Sequence, residues 1–350
     1  MHVDDLLQTI KENELLTRWG KNLSRHPQQV NDLHQSDAEL IRLPGGEKLL
    51  AATIDTISEE ISLGFYQEPE TIGWMGIMVS LSDLAAVGAE PLGILTSVSL
   101  PVGSSADYQE QIAIGISKAC KTCGTFVLGG DTNYAARPSI GSCALGLVEA
   151  GKEMLRTGIE PGQLLYASGK LGLGTLLAAK LLPDIPADFF PEAAFRPVGR
   201  LAEAKIIREF ASACMDTSDG LVVTLDQLLR LNGVGFELTT PITEVVHPGG
   251  LKLSGAISIH PFTVLSCLHG EFELIFTVPI EKREEFEKSA AAQDFSPILL
   301  GKSIEEPKLI LEEAGQRRDI DSGAIHNLWD NSGGDLKRYL SELIRLASPA

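Results

Sequence analysis

Cysteine is scarce and odd in number: Cys120, Cys123, Cys143, Cys214 and Cys267 are the five in a chain of 350 residues. That excludes a disulfide-stapled scaffold and fits reduced thiols. Cys120 and Cys123 have redox-motif spacing, but no second pair completes a zinc site. Their place at the end of a predicted helix marks them as structural. The seven histidines are scattered and form no His-Glu-x-x-His pattern, which argues against a zinc centre. Basic residues are in deficit, 29 Lys and Arg against 47 Asp and Glu, for a net charge of -18. Such a surface repels phosphate backbones, so nucleic acid is excluded as a partner. An acidic protein that handles a phosphorylated ligand needs metal ions to screen the charge. No apolar run approaches the roughly 18 residues of a membrane span. Met1 to Ile10 carries Asp4 and Asp5 and no apolar core of signal-peptide length, so the expectation is a cytoplasmic protein.

Against these absences, 44% of the residues are hydrophobic, enough for two domains with proper cores. The organising stretch runs from Ser80-Leu81-Ser82-Asp83 to Gly88-Ala89-Glu90-Pro91. Before it, Ile72, Met75, Ile77, Met78 and Val79 lead into Leu81, Leu84 and Val87 at helical spacing. Gly88 and Pro91 end that helix. Asp83 therefore rides inside an apolar helix, where it must be paired, capped or metal-bound.

Other helices are expected over 3–18, 107–121, 176–182, 198–210, 221–231 and 336–346. Strands are expected over 49–54, 92–100, 125–128, 140–148, 164–167, 234–238, 272–278, 298–300 and 308–311. The Pro-rich stretch 183–197 reads as a long loop. The mixture lacks strict alternation, which argues α+β. A turn-rich hinge from Met154 to Gly162 puts a domain boundary near residue 150. The expected division is 1–150, 151–315 and a tail, 316–350.

Four carboxylates recur in similar settings. Asp55 ends a buried strand, Asp83 sits in the apolar helix, Asp131 follows Gly129-Gly130 at a strand end, and Asp219 precedes Gly220 between strand and helix. Asp37 is a possible fifth. Strand ends beside glycines let backbone approach a ligand closely. Clustered carboxylates make hard oxygen sites for Mg²⁺, which takes one or two of them plus phosphate oxygens. The set suggests a multi-metal nucleotide site. Other phosphate motifs fail. Leu300-Gly301-Lys302-Ser303 lacks the first P-loop glycine, since Ser296 occupies that place. Ser168 to Gly174 reads as a tight turn capping a helix.

Several strings together resemble the thiamine-monophosphate kinase family. They are Thr53-Ile54-Asp55-Thr56, the stretch Ser80 to Pro91, Gly129-Gly130-Asp131-Thr132, Arg156-Thr157-Gly158 with Pro161-Gly162, Arg196-Pro197 with Arg200, and Ser218-Asp219-Gly220-Leu221. The resemblance spans about residues 35 to 310. It extends to the wider aminoimidazole ribonucleotide synthetase superfamily. It implies an N-terminal α/β domain that dimerises through its sheet and a C-terminal α+β domain, with ATP and Mg²⁺ in the cleft between.

By that resemblance Asp37, Asp55, Asp83, Asp131 and Asp219 hold metal. Gly130, Asp131, Arg156, Ser218 and Asp219 contact ATP, and Asp131 and Asp219 serve catalysis. Ser62, Glu271 and Trp329 face the substrate, a small phosphorylated metabolite. The implied reaction is ATP-dependent phosphorylation of thiamine phosphate by a homodimer.

The chain also departs from the kinase pattern. It has Ser36-Asp37 for a paired Asp-Asp, Glu60-Ile61-Ser62-Leu63 for a Gly-x-His-Phe element, and Thr224, with Asp226 near, for an Asp. It has Leu268-His269-Gly270-Glu271-Phe272-Glu273-Leu274 for Gly-Gly-Glu-Asp-Tyr-Glu-Leu. Two alternatives stay open: another enzyme of the superfamily with a pocket around Ser62, His269 and Trp329, or a nucleotide-binding protein without turnover.

Overall fold

A computed structural model describes residues 6–182, 185, 186 and 188–347. Residues 3–5 of the expected first helix, with Asp4 and Asp5, and residues 183, 184 and 187 of the expected loop lie outside the described residues. The apolar run around Asp83 forms the helix Pro69–Ala86, with proline in its first turn, and every residue from Thr71 to Ala86 is buried. A helix apolar on all sides needs partners all round. One partner is a five-stranded sheet of order β1-β2-β5-β3-β4. Its strands are β1 (Glu39–Arg42), β2 (Lys48–Thr56), β3 (Glu90–Pro101), β4 (Val127–Ala135) and β5 (Ser139–Glu149). All pairings are antiparallel except β3 with β4.

A second partner is the helix Ala106–Thr122. Glycines make that contact close. A Cβ on Gly73 would lie 2.1 Å from the Ile112 carbonyl oxygen, and one on Gly115 2.1 Å from that of Glu70. The helix Pro69–Ala86 covers one face of the sheet, and the helix Ala106–Thr122 packs against that helix. The period of two along β2 places Leu49, Ala51, Thr53 and Asp55 on that face and Ile54 on the other. The outer face carries Ile54, Leu95 and Leu128, which are 76%, 41% and 56% exposed.

The second sheet has seven strands in the order β12-β11-β8-β10-β6-β9-β7. These are β6 (Leu164–Ala167), β7 (Ala213–Asp216), β8 (Gly235–Leu238), β9 (Leu274–Val278), β10 (Ile298–Ile304), β11 (Leu309–Glu313) and β12 (Gln316–Ile320). Strands β6 to β9 are buried throughout because both faces are covered. Tyr166, Cys214, Leu274 and Phe276 share one core with Leu81 and Leu84 of the helix Pro69–Ala86. Leu165, Ala213, Met215 and Ile275 face the other way, into a core with Leu225 and Leu228 of the helix Leu221–Asn232. The alternation that turns Cys214 toward the helix Pro69–Ala86 also turns Asp216 there.

The α+β class is as expected, and two local expectations are corrected. β4 does not end at Gly129-Gly130; it runs through both to Ala135. Gly130 serves close approach rather than a turn, since a Cβ there would sit 2.1 Å from the Thr96 carbonyl oxygen. The polar tail also starts later than expected, because Gln316–Ile320 pairs with β11 as an edge strand.

Candidate active site

Asp37, Asp83 and Asp216 each bring a carboxylate oxygen within 4.8 Å of the others. Three distant segments supply them: the approach to β1, the long buried helix, and the end of β7. Short hydrogen bonds fix the arrangement. Ser82 Oγ donates to Asp216 Oδ2 at 2.5 Å, and Thr53 Oγ1 donates to Asp83 Oδ2 at 2.5 Å. Asp216 Oδ1 accepts from the Ser218 amide at 3.3 Å and its hydroxyl at 3.0 Å. Arg156 grips Asp37 with two nitrogens, at 3.0 and 3.3 Å. Asp55 stands beside Asp83 on β2.

A single arginine cannot neutralise this many carboxylates. Burial, followed by the charges of Asp55, Asp216 and Asp37, holds the Asp83 carboxyl well above its ordinary range. Burial and then Asp37 push Asp216 up to about 7. Burial likewise raises Asp55, with Asp37 adding and a hydrogen bond to Asp83 opposing. Oxygen-only donors under mutual repulsion form a site that a hard divalent cation relieves.

Asp55 also lines a cavity of about 730 Å³ that opens beside the cluster. Asp219, Ser218, His269, Phe65 and Trp329 share its wall. Asp219 keeps solvent contact across the cavity. The protein crowded around it nevertheless raises its pKa to about 6, with Glu12 adding and His326 and Arg156 opposing. His269 stacks on Phe65 at 4.7 Å, and burial with the nearby Lys180 charge lowers its pKa to about 4, which keeps the ring neutral. The Trp329 indole donates to Glu59 Oε1 at 3.2 Å and meets Tyr339 edge-on.

The structure thus brings Asp37, Asp55 and Asp83 together, with Arg156 and Ser218 in contact and Asp219 and Trp329 on the adjoining cavity. It does not bring in the rest. Asp131 is exposed on β4, opposite Ser97, and accepts a hydrogen bond from Asn133. Asp55, Ser142, Thr96 and Gly130 form one row across four strands, so Asp131 lies about 14 Å from Asp55 by strand spacing.

Ser62 is outside the cavity wall and donates to the Ser58 carbonyl of its own helix. Glu271 is buried and already used: its Oε2 accepts from the Gly172 and Leu173 amides at 2.6 and 3.0 Å, capping the helix Leu173–Ala178. Asp226 does not replace the missing acid near Thr224. It is spent on Arg230 and Ser322, with His326 2.8 Å away.

Asp216 is the acid that sequence reasoning passed over. Its signal is the buried apolar run Ala213-Cys214-Met215 ending in a carboxylate, the same grammar as Asp55.

The match to "AIR synthase related protein, N-terminal domain" covers residues 35–148. The thiamine-monophosphate kinase of Archaeoglobus fulgidus is 31% identical over 77% of this chain and 86% of its own length. The chain belongs to the thiamine-monophosphate kinase family. The Pyrococcus abyssi enzyme of the family is 30% identical over 81% of this chain and 86% of its own length. Among solved structures, tt0281 from Thermus thermophilus has a TM-score of 0.73 at 28% identity, covering 88% of this chain and 98% of that one. AaThiL complexed with AMPPCP and TMP shares the fold, with a TM-score of 0.69 at 24% identity, covering 90% of this chain and 96% of that one. In this family member the expected fold of the aminoimidazole ribonucleotide synthetase type is present.

Proposed function

We propose that this protein transfers the γ-phosphoryl group of ATP to thiamine monophosphate, giving thiamine diphosphate and ADP. The observation that carries the reading is the buried cluster of Asp37, Asp83 and Asp216, placed beside a cavity of acids and aromatics in a chain of this kinase family. Phosphoryl transfer asks a protein for positioning and charge neutralisation more than for covalent help.

The donor set fits Mg²⁺: the oxygens are hard, the carboxylates are ionisable, and their repulsion is unrelieved. Asp37, Asp55, Asp83 and Asp216 would hold it. When bound, the ion supplies charge screening for the phosphates. Arg156 restrains Asp37 and Ser218 orients Asp216. Asp219 and Trp329 border the space for the acceptor. Asp131 and Gly130 keep a proposed nucleotide role on β4, separate from the cluster.

The same reading divides the chain near residue 150, gives the second domain the edge strand Gln316–Ile320 ahead of the tail, and makes the protein a homodimer. The outer face of the first sheet supports the dimer, with Ile54, Leu95 and Leu128 unburied next to the exposed strand β4. Five free thiols support a cytoplasmic setting.

The deciding experiment incubates the protein with ATP, Mg²⁺ and thiamine monophosphate and separates the products. Thiamine diphosphate and ADP in equal amounts are expected. ADP release stimulated only by other phosphorylated metabolites, or ATP binding without turnover, overturns the reading.

A further inference from the structure

Residues Ser58–Leu63 form a short helix closed by Gly64 in the left-handed region, at φ 87°. Glu59, Glu60 and Leu63 line the cavity from one face of this helix, next to Thr56 at the end of β2, while Ser62 turns back onto Ser58. Two carboxylates therefore reach the cavity from this turn, and they differ in what they already hold. Glu59 accepts from the Trp329 indole at 3.2 Å, which also sets the orientation of that ring. Glu60 Oε2 is buried and has no hydrogen-bond partner among the described residues.

Lys11 and Arg18 lie on the same wall, yet neither pairs with Glu60 among the described ion pairs. The charges closest in effect are negative: Glu59, Asp219 and Asp55 add to burial in raising the Glu60 pKa to about 7. A carboxylate oxygen taken from water with no donor costs several kcal/mol unless a partner arrives. The rest of the wall combines further acids, Glu12, Asp55, Asp219 and Asp330, with apolar side chains and the rings of Phe65 and Trp329. Such a cavity suits a small planar cation.

We propose that Glu60 is a specificity-determining residue of the acceptor site, its carboxylate reading the positive charge of the thiazolium ring of thiamine monophosphate. The inference rests on the proposed function and adds to it which residue selects the charged acceptor. Glu59 and Trp329 act with it by holding the ring surface in place. Selection by a charge left unpaired in the empty cavity rejects a neutral ligand of the same shape, which cannot supply the missing partner.

The test uses the full chain with Mg²⁺ and a non-hydrolysable ATP analogue. Calorimetry compares thiamine monophosphate with its 3-deaza analogue, in which a neutral thiophene replaces the thiazolium. The parent is expected to prefer the cation. Glu60→Gln should weaken thiamine monophosphate about tenfold or more, leave the deaza analogue within about twofold, and leave the affinity for the ATP analogue unchanged. Glu60→Asp, which keeps the charge, should retain the preference and guards against a folding defect in the first variant. Equal weakening of both ligands, or no change in either, overturns the proposal. A parent that binds the ATP analogue but not thiamine monophosphate overturns the proposed function and this inference with it. Tight binding indifferent to Glu60→Gln overturns this inference alone.

Discussion

Ser82 donates to Asp216 across 2.5 Å and so joins the helix beneath the first sheet to the edge strand of the second. The next residue on that helix, Asp83, meets Asp216 and Asp37 in the acidic cluster. The two halves of the chain therefore touch through groups that repel one another, and their stability is linked to whatever relieves that repulsion.

The first prediction follows from that linkage. Asp83→Asn and Asp216→Asn each remove a buried like charge. Without metal, both variants should unfold at or above the temperature of the parent. The parent should gain from Mg²⁺ and ATP, by about 2.7 kcal/mol at a ligand concentration a hundredfold above Kd, and the variants should not. Thermal unfolding with and without Mg²⁺ and ATP reads this directly. A full ligand-dependent shift in both variants would place the ion elsewhere.

Stability should also run against the usual acid trend. Burial, with Glu273 adding and the Gly172 amide opposing, raises Glu271 from 4.5 to about 7. Burial and Asp37 raise Asp216 from 3.8 to about 7. Each folded carboxyl holds its proton more tightly than the unfolded one. Its contribution is complete below the unfolded pKa, near 4, and is lost as pH rises through about 7. Within that window each group contributes up to about 1.4 kcal/mol per pH unit. Urea titrations of metal-free protein should give a lower midpoint at pH 8 than at pH 5.5, and Mg²⁺ should shrink the difference. A midpoint that climbs steadily with pH contradicts these shifts.

Arg156 is the one cation gripping the cluster among the described residues, and the Asp37 side chain under it is 1% exposed. Arg156→Met leaves that carboxylate buried and unpaired, at an expected cost of about 3–5 kcal/mol in urea unfolding. Arg156→Lys should recover only part, because an ammonium cannot form the two-pronged contact. A loss below about 1 kcal/mol would mean that the pair behaves as a solvated one.

The outer face of the first sheet gives the fourth prediction. Leu95→Glu and Leu128→Glu place charges in the patch shared with Ile54. Light scattering should show twice the chain mass for the parent and a shift toward the monomer for the double variant. A monomeric parent at micromolar concentration would remove the proposed dimer.

Much of the fold was legible because burial writes itself into sequence. Leu164–Ala167 was expected at its observed bounds, since a strand covered on both faces is a continuous apolar run. Asp83 was legible as a buried acid because, apart from Ser80 and Ser82, the residues around it on its helix are apolar. β4 was misread at Gly129-Gly130, because glycine marks a turn and a close strand contact alike, and only the Thr96 carbonyl distinguishes them. Gln316–Ile320 was missed because its edge position lets it carry charge. Asp216 was hidden by Ser218-Asp219-Gly220, the more familiar string beside it. Glu60 carried no signal, since its meaning lies in the absence of a partner, which is a property of three-dimensional packing.

The pairing of Arg156 with Asp37 also bears on how the chain is made. The first sheet needs residues up to Glu149, and Arg156 follows only a short connection later, whereas Asp216 lies in the second sheet. A chain emerging from the ribosome can fold that sheet and cover Asp37 with its guanidinium before the third acid exists. The Ser82–Asp216 bond spans 134 residues and must wait for it. The order of synthesis thus delivers the counter-charge ahead of the last like charge, and the cluster is completed only when both sheets are in place to hold it.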